Sequence, residues 1–160
     1  METRTVYFAS LEKEQGVLWY FGGLRIIKML GEQISDPHTI FEYREPAGTY
    51  TYSYAPYQED MAFYIIEGEA SFSNEETTIH ALPGTFLFMP RNVPFRYQVT
   101  KAGPATILTW TTPGGFVHRV MGMGEPGQAF VLAPPPIIER EKMQQLTTLL
   151  RATAQTSEKL

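Results

Sequence analysis

The strongest constraint on the fold is a series of short runs of β-branched and aromatic residues between positions 39 and 112, each ended by a turn signal. The run at 49–54 alternates Thr or Ser with Tyr, and this period of two is typical of a strand. Tyr50, Tyr52 and Tyr54 then share one face of that strand. Several short strands separated by Pro and Gly turns predict a β-sandwich or a β-barrel.

Composition narrows the class of protein further. The 160 residues suit one domain, and they include nine Tyr, ten Phe and two Trp but no Cys. Without Cys, disulfides, thiolate metal sites and cysteine nucleophiles are excluded. A net charge of −4 argues against nucleic-acid binding, which needs a basic surface. The charged N-terminus and the lack of any apolar run of roughly 20 residues predict a cytoplasmic protein with no membrane contact.

The chain changes character after the predicted strands. We expect one domain over 1–160, with its barrel over about 17–115. Three consecutive prolines at 134–136 predict a stiff linker, and the apolar residues of 137–152 have helical spacing. The sequence therefore predicts a proline-rich linker and a C-terminal helix over about 126–152.

Two segments carry a more specific signal, GTYTYSYAPYQEDMAFYIIEG at 48–68 and GTFLFMPRNVPF at 84–95. Their spacing and their turn residues Gly68, Gly84 and Pro90 resemble the two motifs of the cupin superfamily. The resemblance implies an all-β fold, a single double-stranded β-helix (jelly-roll) barrel with a short C-terminal helix. Cupins host many functions on one scaffold, so the fold alone does not imply one.

The flanking segments narrow the resemblance. LWYFGGL at 18–24 and TPGGF at 112–116 resemble the corresponding parts of single-domain quercetin 2,3-dioxygenase-like cupins. That resemblance implies a metal-dependent oxidoreductase, provided that the metal ligands are present. It also implies a homodimer, because cupins commonly dimerise.

The implied metal ligands are replaced in this chain. The motifs of metal-binding cupins supply two His and a Glu, then a third His, at positions that correspond here to Tyr54, Pro56, Met61 and Phe95. Pro and Phe offer no donor atom, and a thioether is a poor ligand for hard divalent ions. We therefore expect no metal and no cofactor. Glu59 is an alternative ligand, but the favoured interpretation of 58–60 is a solvated loop that joins two strands.

The barrel mouth is the predicted ligand pocket. The resemblance and strand alternation place seven side chains there, Tyr52, Tyr54, Pro56, Met61, Phe63, Phe95 and Tyr97. Two interpretations remain open, a barrel filled by its own aromatic rings and an aromatic pocket in which phenol hydroxyls orient a ligand. Tyr54 is the one candidate for a catalytic group. The three histidines lie at none of the implied pocket positions and are interpreted as structural, His38, His80 and His118.

The motifs and the replaced metal ligands leave three hypotheses for the function. The first is a metal-free cupin that binds a small molecule in its barrel, with aromatic molecules among the candidates. The second is an enzyme, either a divergent relative of quercetin dioxygenase or a metal-independent, RmlC-like isomerase or cyclase acting through Tyr54. The third is a structural homodimer with a closed pocket.

Overall fold

A computed structural model describes residues 16–20, 22–31, 36–51, 58–113 and 115–126. Within these ranges one helix, α1, covers Phe116–Met123. The strands there are β1 (Gly16–Tyr20), β2 (Gly23–Met29), β3 (Thr39–Glu45), β4 (Asp60–Glu67), β5 (Ala70–Ser73), β6 (Thr78–Ala81), β7 (Phe86–Met89), β8 (Arg96–Val99), β9 (Ala105–Thr112) and β10 (Glu125–Pro126). The predicted Pro-rich linker and C-terminal helix lie outside the described residues, except for Pro126.

The strands form two antiparallel sheets. The larger has the order β10-β1-β2-β3-β9-β4-β7, and the smaller has the order β6-β5-β8. Strands β3 and β9 pair along their whole length, and β4 continues the ladder on the other side of β9. The predicted all-β jelly-roll barrel is therefore confirmed.

Alternation along the central strands defines the inside of the barrel. In β9 every second residue is buried, beginning at Ala105 and ending at Thr111, while the residues between them are half-buried. Strand β3 follows the same pattern. Phe41, Phe63 and Phe72 are the largest fully buried side chains, and each contributes roughly 1.5–3 kcal/mol by burial. The core thus lies between the two sheets.

Two of the motif turns depend on glycine. Gly68 and Gly84 have φ angles of 77° and 88°, in the left-handed region that side chains disfavour. A Cβ added at Gly68 would lie 2.3 Å from the carbonyl oxygen of Pro104. These turns set where β4 and β6 end, and hence where β5 and β7 begin.

Helix α1 was not predicted from the sequence, because the predicted elements before the proline-rich segment are all strands and turns. Phe116, Val117 and Val120 form its buried face. The ring of Phe116 packs edge-on against Tyr20 at 5.9 Å and Phe41 at 5.8 Å. The helix therefore closes one side of the barrel core. It is only eight residues long, so its apolar residues are too few to show a helical period.

Candidate ligand site in the barrel interior

A buried ion pair lies inside the barrel. Strand β2 contributes Arg25 and β3 contributes Glu45, which are 3% and 0% exposed. Arg25 Nη1 lies 2.7 Å from Glu45 Oε1. Because an isolated charge in an apolar interior is very costly, each of these side chains depends on the other.

Tyr97 joins this pair from the smaller sheet. Arg25 Nη2 donates to the Tyr97 hydroxyl at 3.2 Å, and the hydroxyl donates a short hydrogen bond to Glu45 Oε1. Burial and the neighbouring Glu45 carboxylate raise the pKa of Tyr97 well above its usual range. The phenol therefore stays protonated and acts as a donor to the carboxylate. We call Arg25, Glu45 and Tyr97 the polar triad.

Two aromatic rings complete the surroundings of the guanidinium. Arg25 Cζ lies 3.8 Å from the ring centroid of Tyr43 and 5.9 Å from that of Tyr20. Burial is the largest single effect and lowers the pKa of Arg25, but Glu45 together with the neighbouring tyrosines outweighs it, so the pKa is raised. Arg25 is thus a permanent cation, stabilised by a carboxylate and by cation–π contact.

The polar triad is not fully satisfied. Among the described residues, Arg25 Nε and Glu45 Oε2 have no hydrogen-bond partner, and the same holds for the hydroxyl of Thr109. Oε2 lies where a side chain at position 23 would be, because a Cβ added to Gly23 would be 1.8 Å away from it. An unsatisfied buried donor and acceptor are uncommon in native interiors and can be satisfied by water or by a bound ligand.

Four of the predicted pocket residues meet inside the barrel. Met61, Phe63, Phe95 and Tyr97 are all 5% exposed or less. The ring of Phe63 lies 5.6 Å from that of Phe95 and 6.5 Å from that of Tyr97. The aromatic rings therefore contact each other in this region. The other predicted pocket residues lie outside the described part of the chain, Tyr52, Tyr54 and Pro56.

Metal-ligating side chains do not converge in the described part of the barrel. No group of three or more His, Asp or Glu residues that could hold a metal ion occurs among the described residues. Met61 and Phe95, at two of the replaced ligand positions, present a thioether and a phenyl ring to the interior. Neither suits Fe, Ni, Mn or Zn in a site of this kind.

Glu59, the further candidate ligand, is positioned against α1. The solvated loop favoured for 58–60 is wrong for this residue, which is only 8% exposed. A Cβ added at Gly115 would lie 2.8 Å from Glu59 Oε1, so the carboxylate abuts the start of the helix. Burial raises the pKa of Glu59, although hydrogen bonds from the backbone N–H groups of Phe116 and Gly115 oppose the shift. The adjacent Asp60 instead has a lowered pKa because it binds Arg91.

Glu59 should impose a pH dependence on stability. Its raised pKa means that the unfolded chain, with a Glu pKa of about 4.3, releases the proton before the folded chain does. Its contribution to stability is therefore greatest below about pH 4.3 and declines as the pH rises through the folded-state pKa. We expect Glu59→Gln to remove this decline. The melting temperature of the variant minus that of the wild type should therefore increase between pH 4 and 7. Glu76→Gln, at an exposed hairpin tip, is the control. A constant difference across this pH range would contradict the assignment.

The histidines lie on the outside of the described barrel. His80 Nε2 is 3.3 Å from Glu69 Oε2, and its Nδ1 is 3.2 Å from Ser71 Oγ. His38 Nδ1 is 2.7 Å from Asp36. All three histidine positions are exposed, so none contributes to the interior site.

Sequence reasoning missed Arg25 and Glu45. Glu45 directly precedes the Pro46 turn and therefore looks like a turn residue. Arg25 lies between Leu24 and Ile26 in a strand whose two faces are both buried. A charged residue within such an apolar run is the one signal that could have indicated a buried partner.

Two facing antiparallel sheets around an aromatic interior are the architecture of the cupin fold. Solved structures agree on the fold. An RmlC-like cupin from Shewanella frigidimarina superposes with a TM-score of 0.55 at 15% identity, over 68% of this chain and 92% of that one. A variant of oxalate decarboxylase from Bacillus subtilis gives 0.60 at 16% identity, over 75% of this chain and 33% of that one. The cupin domain of Schizosaccharomyces pombe Cnp3 gives 0.53 at 14% identity, over 68% and 76%.

The chain belongs to the AraC-like ligand-binding domain family, whose sequence profile matches residues 46–158. Membership of this family indicates a domain of the small-molecule-binding type. No protein of curated function matches the sequence. The predicted cupin membership is confirmed, whereas the likeness to quercetin 2,3-dioxygenases stays a prediction. In the described ranges, no helix has the length and apolar character needed to cross a membrane.

Proposed function

We propose that this domain binds a small, uncharged, hydroxylated aromatic molecule inside its barrel and does so without a metal. The observation that carries the proposal is the polar triad, which leaves a buried donor on Arg25 and a buried acceptor on Glu45 without partners in the part of the chain that the structure describes. Family membership supports a ligand-binding role, and the aromatic interior supports a ligand with a flat apolar ring.

Electrostatics favour an uncharged ligand. Arg25 and Glu45 already neutralise each other at 2.7 Å, so a ligand carboxylate would be repelled by Glu45 and a ligand ammonium by Arg25. A hydroxyl can accept a hydrogen bond from Nε and donate one to Oε2, which would satisfy both atoms. The ring of such a ligand would replace contacts that Phe63 and Phe95 now make with each other.

A thermal-shift and calorimetric screen tests the proposal. We expect neutral phenols such as catechol and resorcinol to raise the melting temperature with increasing concentration, and benzoate not to displace catechol in a calorimetric competition. Tyr97→Phe removes the only hydroxyl of the polar triad and keeps the aromatic ring. It should weaken phenol binding about tenfold, the effect of losing about 1.4 kcal/mol.

Tyr64→Phe provides the matched control, because Tyr64 is 40% exposed on the outer face of β4. This variant also loses one hydroxyl, but its affinity for phenols should be unchanged. Stabilisation by none of the phenols would contradict the proposal and favour an interior closed by its own side chains. Equal losses in both variants would also contradict it.

Metal analysis is a separate prediction. Protein incubated with Fe, Ni, Mn, Cu and Zn and then desalted is expected to retain well below one metal ion per chain, because the side chains of Met61 and Phe95 offer no suitable donor. Elemental analysis measures this directly. Retention of close to one ion per chain would restore metal-dependent chemistry as the leading hypothesis.

A further inference from the structure

The outer face of the smaller sheet contains a polar trough. Its middle strand, β5, presents two small residues there, Ser71 and Ser73. The neighbouring strand β8 places longer side chains beside them, since Ser71 pairs with Gln98 and Ser73 pairs with Arg96. Short side chains on a central strand flanked by long ones leave a depression along that strand.

A short segment after β3 forms one wall of the trough. Thr51 N donates to Tyr97 O at 2.9 Å, and Val99 N donates to Thr49 O at 2.7 Å, so this segment runs alongside β8. Tyr50 is thereby paired with Gln98 and is 51% exposed. The resulting cavity has a volume of about 410 Å³, which is within the range of small-molecule sites.

The chemistry of the trough differs from that of the barrel interior. Arg96 is exposed and has no ion-pair partner among the described residues. A guanidinium binds carboxylates and phosphates in a bidentate manner. The hydroxyls of Ser71 and Ser73 and the amide of Gln98 add hydrogen-bond donors, and the ring of Tyr50 offers a face for stacking.

We propose that this trough is a second binding site, which takes a small organic anion with a ring. The carboxylate or phosphate of the ligand pairs with Arg96, and its ring lies against Tyr50. Glu69 Oε2 lies 3.3 Å from His80 Nε2, and His80 pairs with Ser71. Its negative charge therefore lies near the Ser71 end of the trough, away from the end at which Ser73 pairs with Arg96, and so favours one orientation of the anion. The site lies outside the barrel and does not depend on the polar triad.

Titration of the uniformly ¹⁵N-labelled protein with phenyl phosphate, and separately with benzoate, tests this proposal by NMR. We expect concentration-dependent shifts of the backbone signals of Ser71, Ser73, Arg96 and Gln98, with a Kd of about 1 mM or tighter for one of the two probes. The two probes distinguish a phosphate site from a carboxylate site. Absence of shifts at these four residues with both probes would overturn the proposal.

Two variants and one control make the test specific. Arg96→Gln should weaken binding at least about tenfold, the loss expected for a charge-assisted hydrogen-bonded pair. Ser73→Val fills the floor of the trough without changing the charge and should also weaken binding. Lys101→Gln removes the same charge from another exposed position and should have no effect. A loss in Lys101→Gln equal to that in Arg96→Gln would show non-specific attraction and overturn the site.

A separate observation concerns an aromatic patch on the larger sheet. Strand β7 is the last strand of that sheet in the described part of the chain, and it pairs only with β4. Tyr64 and Ile66 of β4 and Phe86 and Phe88 of β7 are between 40% and 57% exposed, and Phe86 packs on Trp110 at 5.5 Å. Contiguous exposed apolar surface of this kind marks an interaction site.

The cupin resemblance implies a homodimer, and we infer that the aromatic patch is the surface that binds the second copy. Each of these half-exposed side chains offers roughly 100 Å² of apolar surface, so the four give roughly 400 Å² per copy. A twofold axis would bring two such patches together, so roughly 800 Å² of apolar surface would be buried. Because interfaces are about 57% non-polar, the total buried area would be roughly 1,400 Å². That area falls within the range of stable, specific interfaces. Among the described strands, β7 has no partner on its outer edge, and such an edge beside the patch also suits twofold contact.

Light scattering coupled to size exclusion tests the dimer. The wild type should have twice the 18.2 kDa mass of one chain, and the Phe86→Ser/Phe88→Ser double variant should have the mass of one. Ile79→Ser, which removes a 42% exposed residue from the other sheet, should remain dimeric. A monomeric wild type at about 100 μM would overturn the inference and leave the patch to a different protein, and a dimeric double variant would also overturn it.

Discussion

Glu45→Ala is expected to destabilise the domain by about 3–5 kcal/mol, the cost of breaking a buried ion pair. The variant leaves Arg25, which is 3% exposed, without its carboxylate in an interior lined by Tyr20 and Tyr43. It also deprives the Tyr97 hydroxyl of its acceptor. Urea unfolding monitored by circular dichroism measures the loss, which should appear as a large shift in midpoint at nearly constant slope.

A double variant separates the contribution of the ion pair to stability from the contribution of side-chain packing. Arg25→Met combined with Glu45→Leu replaces both charges with apolar side chains of similar size. We expect this protein to be far more stable than Glu45→Ala alone, and within about 2 kcal/mol of the wild type, because a buried ion pair contributes little relative to good apolar packing. A loss below about 1 kcal/mol in Glu45→Ala would contradict the buried pair, since an exposed pair contributes that little.

Gly23→Ala is expected to cost about 3 kcal/mol, at the upper end of the range for overpacking. The added Cβ would lie 1.8 Å from Glu45 Oε2 and 2.7 Å from Arg25 Nη1, so the ion pair would have to move. Gly16→Ala in the neighbouring strand is the matched control, because its Cβ would be 3.6 Å from Ile27, an ordinary contact. The control should be as stable as the wild type or slightly more so. Thermal unfolding measures both.

The clash predicts strong coupling between positions 23 and 45. Replacing Glu45 by Ala removes the closest atoms that the added Cβ would strike, Oε2 and Cδ, and leaves only the contact with the flexible end of Arg25. The double variant Gly23→Ala/Glu45→Ala should therefore lose much less stability relative to Glu45→Ala than Gly23→Ala loses relative to the wild type, whereas independent effects would add. Additive losses would mean that Gly23 is needed for some reason other than the position of the carboxylate.

Much of the fold could be predicted from the sequence because the barrel strands have clear local signals. The period of two in β3 and β9, and the Gly and Pro turns between strands, mark the elements directly. Inward residues such as Phe63 and Tyr97 follow from the same alternation. Helix α1 did not follow, since its two turns are too short for a helical period to stand out.

The polar triad was beyond prediction because its contacts are long-range. Tyr97 is 72 positions from Arg25 and 52 from Glu45, and only the meeting of the two sheets brings them together. A Glu before a proline turn is normally solvated, and its burial here depends on the space at Gly23. Glu59 was misjudged for a similar reason, because a helix absent from the prediction covers it.

A crystal structure of the protein soaked with catechol tests the central claim, that the barrel binds a neutral ligand through the polar triad. We predict density for the ring among Phe63, Phe95 and Tyr97, with a hydroxyl within hydrogen-bonding distance of Arg25 Nε and Glu45 Oε2. Density for catechol only on the outer surface, or none in the barrel at a concentration that raises the melting temperature, would contradict this account.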